Sequence, residues 1–165
     1  MEELNMRIED RPEQHYVAIK RTISMTDFPE IADKLPVVIG WLAGRGIAPA
    51  SAPFFKYNSL EMPDRLEVEA GVPVASAVEG EGEIFAGVLP SGRYVVHTHH
   101  GHPDKLADAT GKLLAQAAEQ DLRWDLTERD GVEVWAARLE VYKTHPAEQP
   151  DWNKWETDLV FKLAG

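Results

Sequence analysis

The chain has 165 residues, 44% of them hydrophobic, enough for one domain with a real core or for two small fused modules. Seventeen Lys and Arg against 28 Asp and Glu give a net charge of −11, a poor match for a phosphate backbone, so direct nucleic-acid binding is not expected. The absence of cysteine excludes disulfides, a thiolate nucleophile and Cys-type zinc sites.

The N-terminus, Met1-Glu2-Glu3-Leu4-Asn5, carries no signal-peptide pattern, and no apolar run approaches the ~18 residues of a membrane span, which predicts a soluble, cytoplasmic protein. Tyr16-Val17-Ala18-Ile19 has the β-branched and aromatic content of a first strand. From Thr26 the apolar residues Phe28, Ile31, Leu35, Val38 and Leu42 fall at steps of three and four. They predict an amphipathic helix with Thr26 as N-cap and Gly44 or Gly46 as the stop. Pro36 removes an interior hydrogen bond and should kink or split that helix.

Pro49 to Pro53 reads as a loop. Phe54-Phe55-Lys56-Tyr57 and Leu66-Glu67-Val68-Glu69-Ala70 follow as strands around the turn-like Glu61-Met62-Pro63-Asp64, with Glu67 and Glu69 expected on a solvated charged face and, as the alternative, facing a cleft. Gly82 to Leu89 and Arg93 to His97 are two further strands joined at Ser91-Gly92. A helix begins at Pro103, well placed for N1, and its inner face is Leu106, Thr110, Leu113 and Ala117. Val132 to Tyr142 alternates strongly: Trp135, Ala137, Leu139 and Val141 share one face, and Ala136, Arg138, Glu140 and Tyr142 the other. Thr157 to Leu163 closes the chain, with Leu159, Phe161 and Leu163 pointing one way.

The order of these elements repeats. At an offset of about 78 residues Tyr16-Val17 matches Tyr94-Val95 and Lys34-Leu35 matches Lys112-Leu113. The expected architecture is α+β: two β-α-β-β modules, about 6–80 and about 81–165, whose strands join edge to edge in one curved antiparallel sheet carrying two main helices.

Among chemistry-bearing residues Glu140 stands out, in mid-strand on the face opposite Leu139 and Val141, with Tyr142 beside it. A solvated sheet face would also produce that pattern. Phe55 and Tyr57, about 85 residues before Glu140 and Tyr142, occupy the equivalent strand of the first module. A carboxylate walled by rings suits a flat organic cation, and equally gives a carboxyl group with a raised pKa that can act as acid or base.

The run His97-Thr98-His99-His100-Gly101-His102 reads as a strand end entering a helix; no HExxH spacing accompanies it, and no metal site is expected. Trp152 and Trp155 either pack on the core or roof a cavity. Gly80-Glu81-Gly82-Glu83 is no phosphate loop, and no Gly-x-Ser-x-Gly elbow occurs.

Four segments, 67–74, 92–101, Arg138-Leu139-Glu140-Val141-Tyr142 and 157–163, together resemble the GyrI-like small-molecule-binding superfamily, which includes the effector-binding domains of AraC- and MerR-type activators. The resemblance covers nearly the whole chain and implies a ligand cleft where the two modules meet. It also implies that Glu140, in the Glu-x-aromatic motif, meets hydrophobic cationic ligands, with Tyr142, Tyr57 and Phe55 stacking around it. At the closing strand Asp158 and Lys162 replace the usual glutamate and proline.

The expected function is a stand-alone binder of amphipathic, aromatic, cationic small molecules, without a cofactor. Two alternatives remain open. One is a hydrolase of cyclopropane-bearing genotoxins in which Glu140 activates water, Tyr94 or Tyr142 donates a hydrogen bond and Trp152 and Trp155 enclose the substrate. The other is a protein-interaction module such as a gyrase modulator. Protein partners and oligomeric state are left open.

Overall fold

The computed structural model describes residues 4–61, 64–145 and 148–165. Met1 to Glu3 of the N-terminal reading, and Met62 and Pro63 of the expected turn, lie outside the described residues. Ten strands form one antiparallel sheet: β1 (Arg7–Arg11), β2 (Gln14–Ile23), β3 (Phe54–Glu61), β4 (Arg65–Pro73), β5 (Phe85–Leu89), β6 (Gly92–His100), β7 (Leu126–Arg129), β8 (Val132–Trp135), β9 (Arg138–Tyr142) and β10 (Glu156–Lys162). The strands run β1-β6-β10-β9-β3-β4-β2-β5 across it, and the β7–β8 hairpin is attached to β3. Three helices complete the fold: α1 (Pro29–Ala32), α2 (Lys34–Gly44) and α3 (Leu106–Glu119). The fold is α+β, a strongly curled antiparallel sheet with two main helices, α2 and α3. β2–α2–β3–β4 and β6–α3–β9–β10 each run strand, helix, strand, strand, and they meet where β3 pairs with β9.

The expected first helix is indeed in two pieces. α1 ends at Asp33, and Pro36 sits in the first turn of α2, where its missing N–H costs nothing. Phe28, not Thr26, is the N-cap position of α1, and its side chain makes no capping bond; Thr26 instead joins a turn through Ser24. Gly46, at φ +69°, takes the left-handed conformation that stops α2. The second helix starts later than its Pro103 signal. Pro103–Lys105 is a 3-10 turn capped by His102, whose Nδ1 accepts from the Asp104 N–H at 3.0 Å, and the buried stripe of α3 is Leu106, Ala109, Leu113 and Ala117.

The helices cover one face of the sheet. Val38 and Leu42 pack on Val17, Ile19 and Val72, and Leu106 and Leu113 pack on Val95, Leu159 and Phe161. Among the described residues no helix covers the opposite face, yet Tyr16, Phe54, Tyr94, Leu139 and Val160 are buried there. The curl explains this: Leu89 on β5, at one end of the strand order, joins the same cluster as Tyr94 on β6, near the other end. The rings of Phe54 and Tyr16 lie against backbone at Gly71 and Gly87, where a Cβ would approach them to 2.6 Å and 2.5 Å. Neither glycine could become alanine without displacing its ring.

Three strand expectations need correction. The segment from Val132 to Tyr142 is broken at Ala136–Ala137, where the Ala136 N–H leaves the ladder to donate to the Asp125 carbonyl at 2.9 Å. That break puts Trp135 in the helix-side core with Phe161, not on the face of Leu139 and Val141. Glu69 is not solvated but 4% exposed, held on the helix-free face by Tyr16 and Asn58. β1 and β7 had no counterpart in the expected elements.

Candidate functional site

The site lies on the helix side of the sheet at the β3–β9 junction. Antiparallel pairing sets Phe55 opposite Glu140, and on the other flank Leu159 opposite Glu140 and Thr157 opposite Tyr142. A register shift between Tyr57 and Ser59 makes Asn58 an extra residue, so Tyr57 and Leu60 both reach the helix-side core. β9 alternates strictly, so Glu140 and Tyr142 share that face with Phe55 and Tyr57.

The Tyr57 hydroxyl donates to Glu140 Oε1 at 2.8 Å and the Tyr142 hydroxyl to the same oxygen at 2.7 Å. Oε2 receives no hydrogen bond from the described residues. The Phe55 ring stands edge-on to Tyr142 at 5.1 Å, and Phe28 leans over Tyr57 at 6.3 Å. The Thr157 hydroxyl, in a residue with no exposed surface, finds no hydrogen-bond partner among the described residues. The site therefore presents one carboxylate oxygen with unused capacity beside an aromatic wall, and a fully buried, unmatched hydroxyl lies across the strand pair from Tyr142.

Burial sets the electrostatics. It pushes the Glu140 carboxyl above its ordinary value of 4.5, against the opposing pull of hydrogen bonds from Tyr142 and Tyr57 and of the Arg138 charge. Burial, and then the Glu140 charge, hold both phenols well above their usual range, so they remain donors at any physiological pH. Burial also lowers Arg138, whose guanidinium lies 4.8 Å from the centres of both the Trp135 and Phe161 rings. Arg138 was legible only as a neighbour of Glu140 on the same face; the break in β8–β9 gives it this aromatic bracket.

The structure brings four of the expected residues together: Glu140, Tyr142, Tyr57 and Phe55. Tyr94 is a correction. It faces the helix-free side, 2% exposed, and its hydroxyl donates to the Pro90 carbonyl at 2.6 Å, so it cannot assist at Glu140. Trp152 and Trp155 form their own stack at 5.0 Å, with His102 5.3 Å from Trp152; neither ring pairs with Phe55, Tyr57 or Tyr142 among the described residues. Trp152 is half exposed, and the Trp155 Nε1–H donates to the Gln149 carbonyl at 2.8 Å. Phe28 and Thr157 were missed. Phe28 reads as a helix core position, and a threonine in a strand carries no signal of an unmatched hydroxyl.

Elsewhere the polar residues are spent on structure. His97 Nδ1 lies 3.0 Å from the Asn5 carbonyl oxygen, His99 Nε2 3.1 Å from that of His102, and no cluster of three or more metal-ligating side chains occurs among the described residues. Asp158 accepts from Thr98 at 2.6 Å and Lys162 donates to Asp125 at 2.9 Å. No helix among the described residues is long and apolar enough to cross a membrane.

Comparison with known proteins places the fold. The solved structures it resembles include EcmrR, at 18% identity. In the DNA complex of EcmrR the match has a TM-score of 0.78 over 96% of this chain but spans only 57% of that one. With the isolated EcmrR C-terminal domain it is 0.73 over 98% of both chains. SAV2435 bound to tetraphenylphosphonium matches at 10% identity and a TM-score of 0.67, over 98% of this chain and 95% of that one. A hydrolase from Listeria innocua matches at 10% and 0.66, over 98% and 93%. At these identities the likeness is one of fold. No curated protein matches. The model of the GyrI-like small molecule binding domain spans residues 4–164, and the chain belongs to that family.

Proposed function

We propose that this domain binds amphipathic aromatic organic cations at the β3–β9 junction, with Glu140 as the anionic anchor and Phe55, Tyr57 and Tyr142 as the aromatic wall. The observation that carries this reading is the convergence of both phenols on one oxygen of a partly buried carboxylate. Two donors fix the carboxylate without occupying Oε2, which remains for a ligand, and the rings present π-faces to a cation already stripped of water. The tetraphenylphosphonium bound to SAV2435, a protein of the same fold, supports the choice of a bulky aromatic cation. Phe28 over Tyr57 acts as the door: a ligand entering beside Glu140 displaces that ring and with it the start of α1.

Titration of tetraphenylphosphonium into wild type and Glu140→Gln at neutral pH tests this. Loss of the charge should weaken binding by about 1–3 kcal/mol, the usual effect of deleting a charged partner at a buried site. Equal affinities would overturn the proposal.

A second reading, hydrolysis of a strained electrophile, is favoured by the raised Glu140 carboxyl, since a base poised nearer neutrality transfers protons better. Here the water oxygen bonds a ring carbon as the cyclopropane C–C bond breaks, Glu140 takes the water proton, and the Tyr142 hydroxyl protonates the carbon that keeps the electron pair and is reprotonated by Glu140 along their hydrogen bond. Incubation with a cyclopropane-bearing alkylator and mass spectrometry separates the two readings: hydrated product appears only if turnover occurs, and must vanish in Glu140→Gln.

A further inference from the structure

On the helix-free side of the sheet, back to back with Glu140, the curl shapes a half-open cavity of about 290 Å3. Phe54, Leu89, Tyr94, Leu139, Val141 and Val160 wall it, and Arg11 is the one charged residue in its lining. Leu139 and Val141 flank Glu140 on the same strand but point away from it, so the cavity shares a strand with the Glu140 site and no side chain. We propose that this cavity is a second, independent ligand site, built for a small apolar carboxylate.

The charge arrangement selects the class. Arg11 turns Nε and Nη2 to Glu9 Oε1, at 3.2 Å and 3.0 Å, and its guanidinium lies 5.9 Å from the centre of the Tyr94 ring on the cavity wall. Glu9 is doubly served, because Arg7 Nε holds its other oxygen at 2.5 Å. A ligand carboxylate can therefore take Arg11 in a two-point contact while Glu9 stays paired with Arg7, and the three groups then carry one positive charge to meet it. Two of the other polar groups at the wall are already engaged, the Tyr94 hydroxyl with the Pro90 carbonyl and the Gln14 amide hydrogens with the His15 and Val74 carbonyls, while Ser51 adds one neutral hydroxyl at the loop side. A single cation that can be taken over from Glu9, above a largely apolar hollow, fits one anionic head and a hydrocarbon body. A neutral ligand would gain less from Arg11 than a carboxylate does, and a cation would be repelled by it.

The hollow also has fixed walls. Phe54 lies on Gly71 and edge-on to Tyr16, 5.3 Å away, so the ring cannot swing in to fill the space. A volume near 290 Å3 sits at the lower end of small-molecule pockets, roughly 300–1,000 Å3, which sets the scale at a medium-chain or single-ring carboxylate.

Octanoate is the probe, titrated calorimetrically into the full chain at neutral pH and low salt. Wild type should bind it; Arg11→Ala should weaken it about tenfold or more. Ala52→Trp, which fills the cavity from its loop wall, should abolish binding, and octanol should not compete. Glu140→Gln should leave octanoate affinity unchanged, which separates this site from the cation site: either can fail alone. Circular dichroism confirms folding of each variant, and should Ala52→Trp not fold, Arg11→Ala decides. No binding to wild type, equal affinity for Arg11→Ala, or loss of binding in Glu140→Gln would each overturn the proposal.

Discussion

Two glutamates, Glu69 buried and Glu140 partly exposed, sit on opposite faces of this sheet, and each accepts a hydrogen bond from a tyrosine, yet their surroundings make opposite demands. Glu69 is saturated: Tyr16 donates to Oε1 at 2.6 Å, Asn58 to Oε2 at 2.6 Å, and the Lys56 ammonium stands 3.6 Å away. Glu140 takes both of its phenols on one oxygen and leaves the other unused, with the unmatched Thr157 hydroxyl across the strand pair from Tyr142. A polar group whose bonds are all made inside the chain stabilises the fold; one whose bonds are half made is available to something else. Fold alone does not draw this distinction, since both residues occupy the middle of strands in one sheet. The inventory of donors and acceptors does.

Substitution should widen the contrast. The largest effect is expected at Glu69→Ala, which leaves Lys56 buried without its carboxylate and should cost roughly 3–5 kcal/mol of stability in a denaturant melt. Glu140→Gln should do the reverse. Gln keeps an oxygen for both phenols and removes a partly buried charge, so the ligand-free protein should be unchanged or gain up to about 1 kcal/mol, a rise in Tm of ~2–4 °C. A loss as large as that of Glu69→Ala would erase the distinction between the two acids.

Tyr57→Phe and Tyr142→Phe should each cost about 0.5–1.5 kcal/mol. Because both act on Oε1, the double variant should depart from the sum of the singles, while either one combined with Tyr16→Phe should add. Smallest of all, Thr157→Val should raise stability by about 0.5–1 kcal/mol, since it removes a buried hydroxyl that makes no bond and keeps the shape. A clear loss in that variant would show the hydroxyl to be satisfied.

The helix-side site was largely legible in the sequence because β9 and β3 each alternate, and the period of two fixes which of Glu140, Tyr142, Phe55 and Tyr57 share a face. Tyr94 was not. The run Tyr94-Val95-Val96-His97 is buried on both sides of the sheet, and a strand covered by helices on one face and by the curl on the other has no polar face to orient it. Trp135 was misplaced for a different reason: the ladder breaks at Ala136–Ala137, and small residues at the break carry no turn signal to mark it. The burial of Glu69 depends on Tyr16, fifty-three positions away in the chain, and local spacing cannot report such a partner. The division of the first helix was visible, because Pro36 acts through its own backbone and needs no tertiary partner.

The central claim, that an ionised Glu140 holds the cation, is tested most directly by the pH dependence of tetraphenylphosphonium affinity, since that ligand has no proton to lose. Burial raises the Glu140 carboxyl above 4.5, so its protonated form, and any stability tied to it, persists at low pH and is lost as pH rises through the raised value. A bound cation favours the ionised form. Affinity in wild type should therefore climb with pH across a window above 4.5 and then level off, and in Glu140→Gln it should lack that step and lie lower throughout the plateau. Parallel profiles for the two proteins would contradict the account.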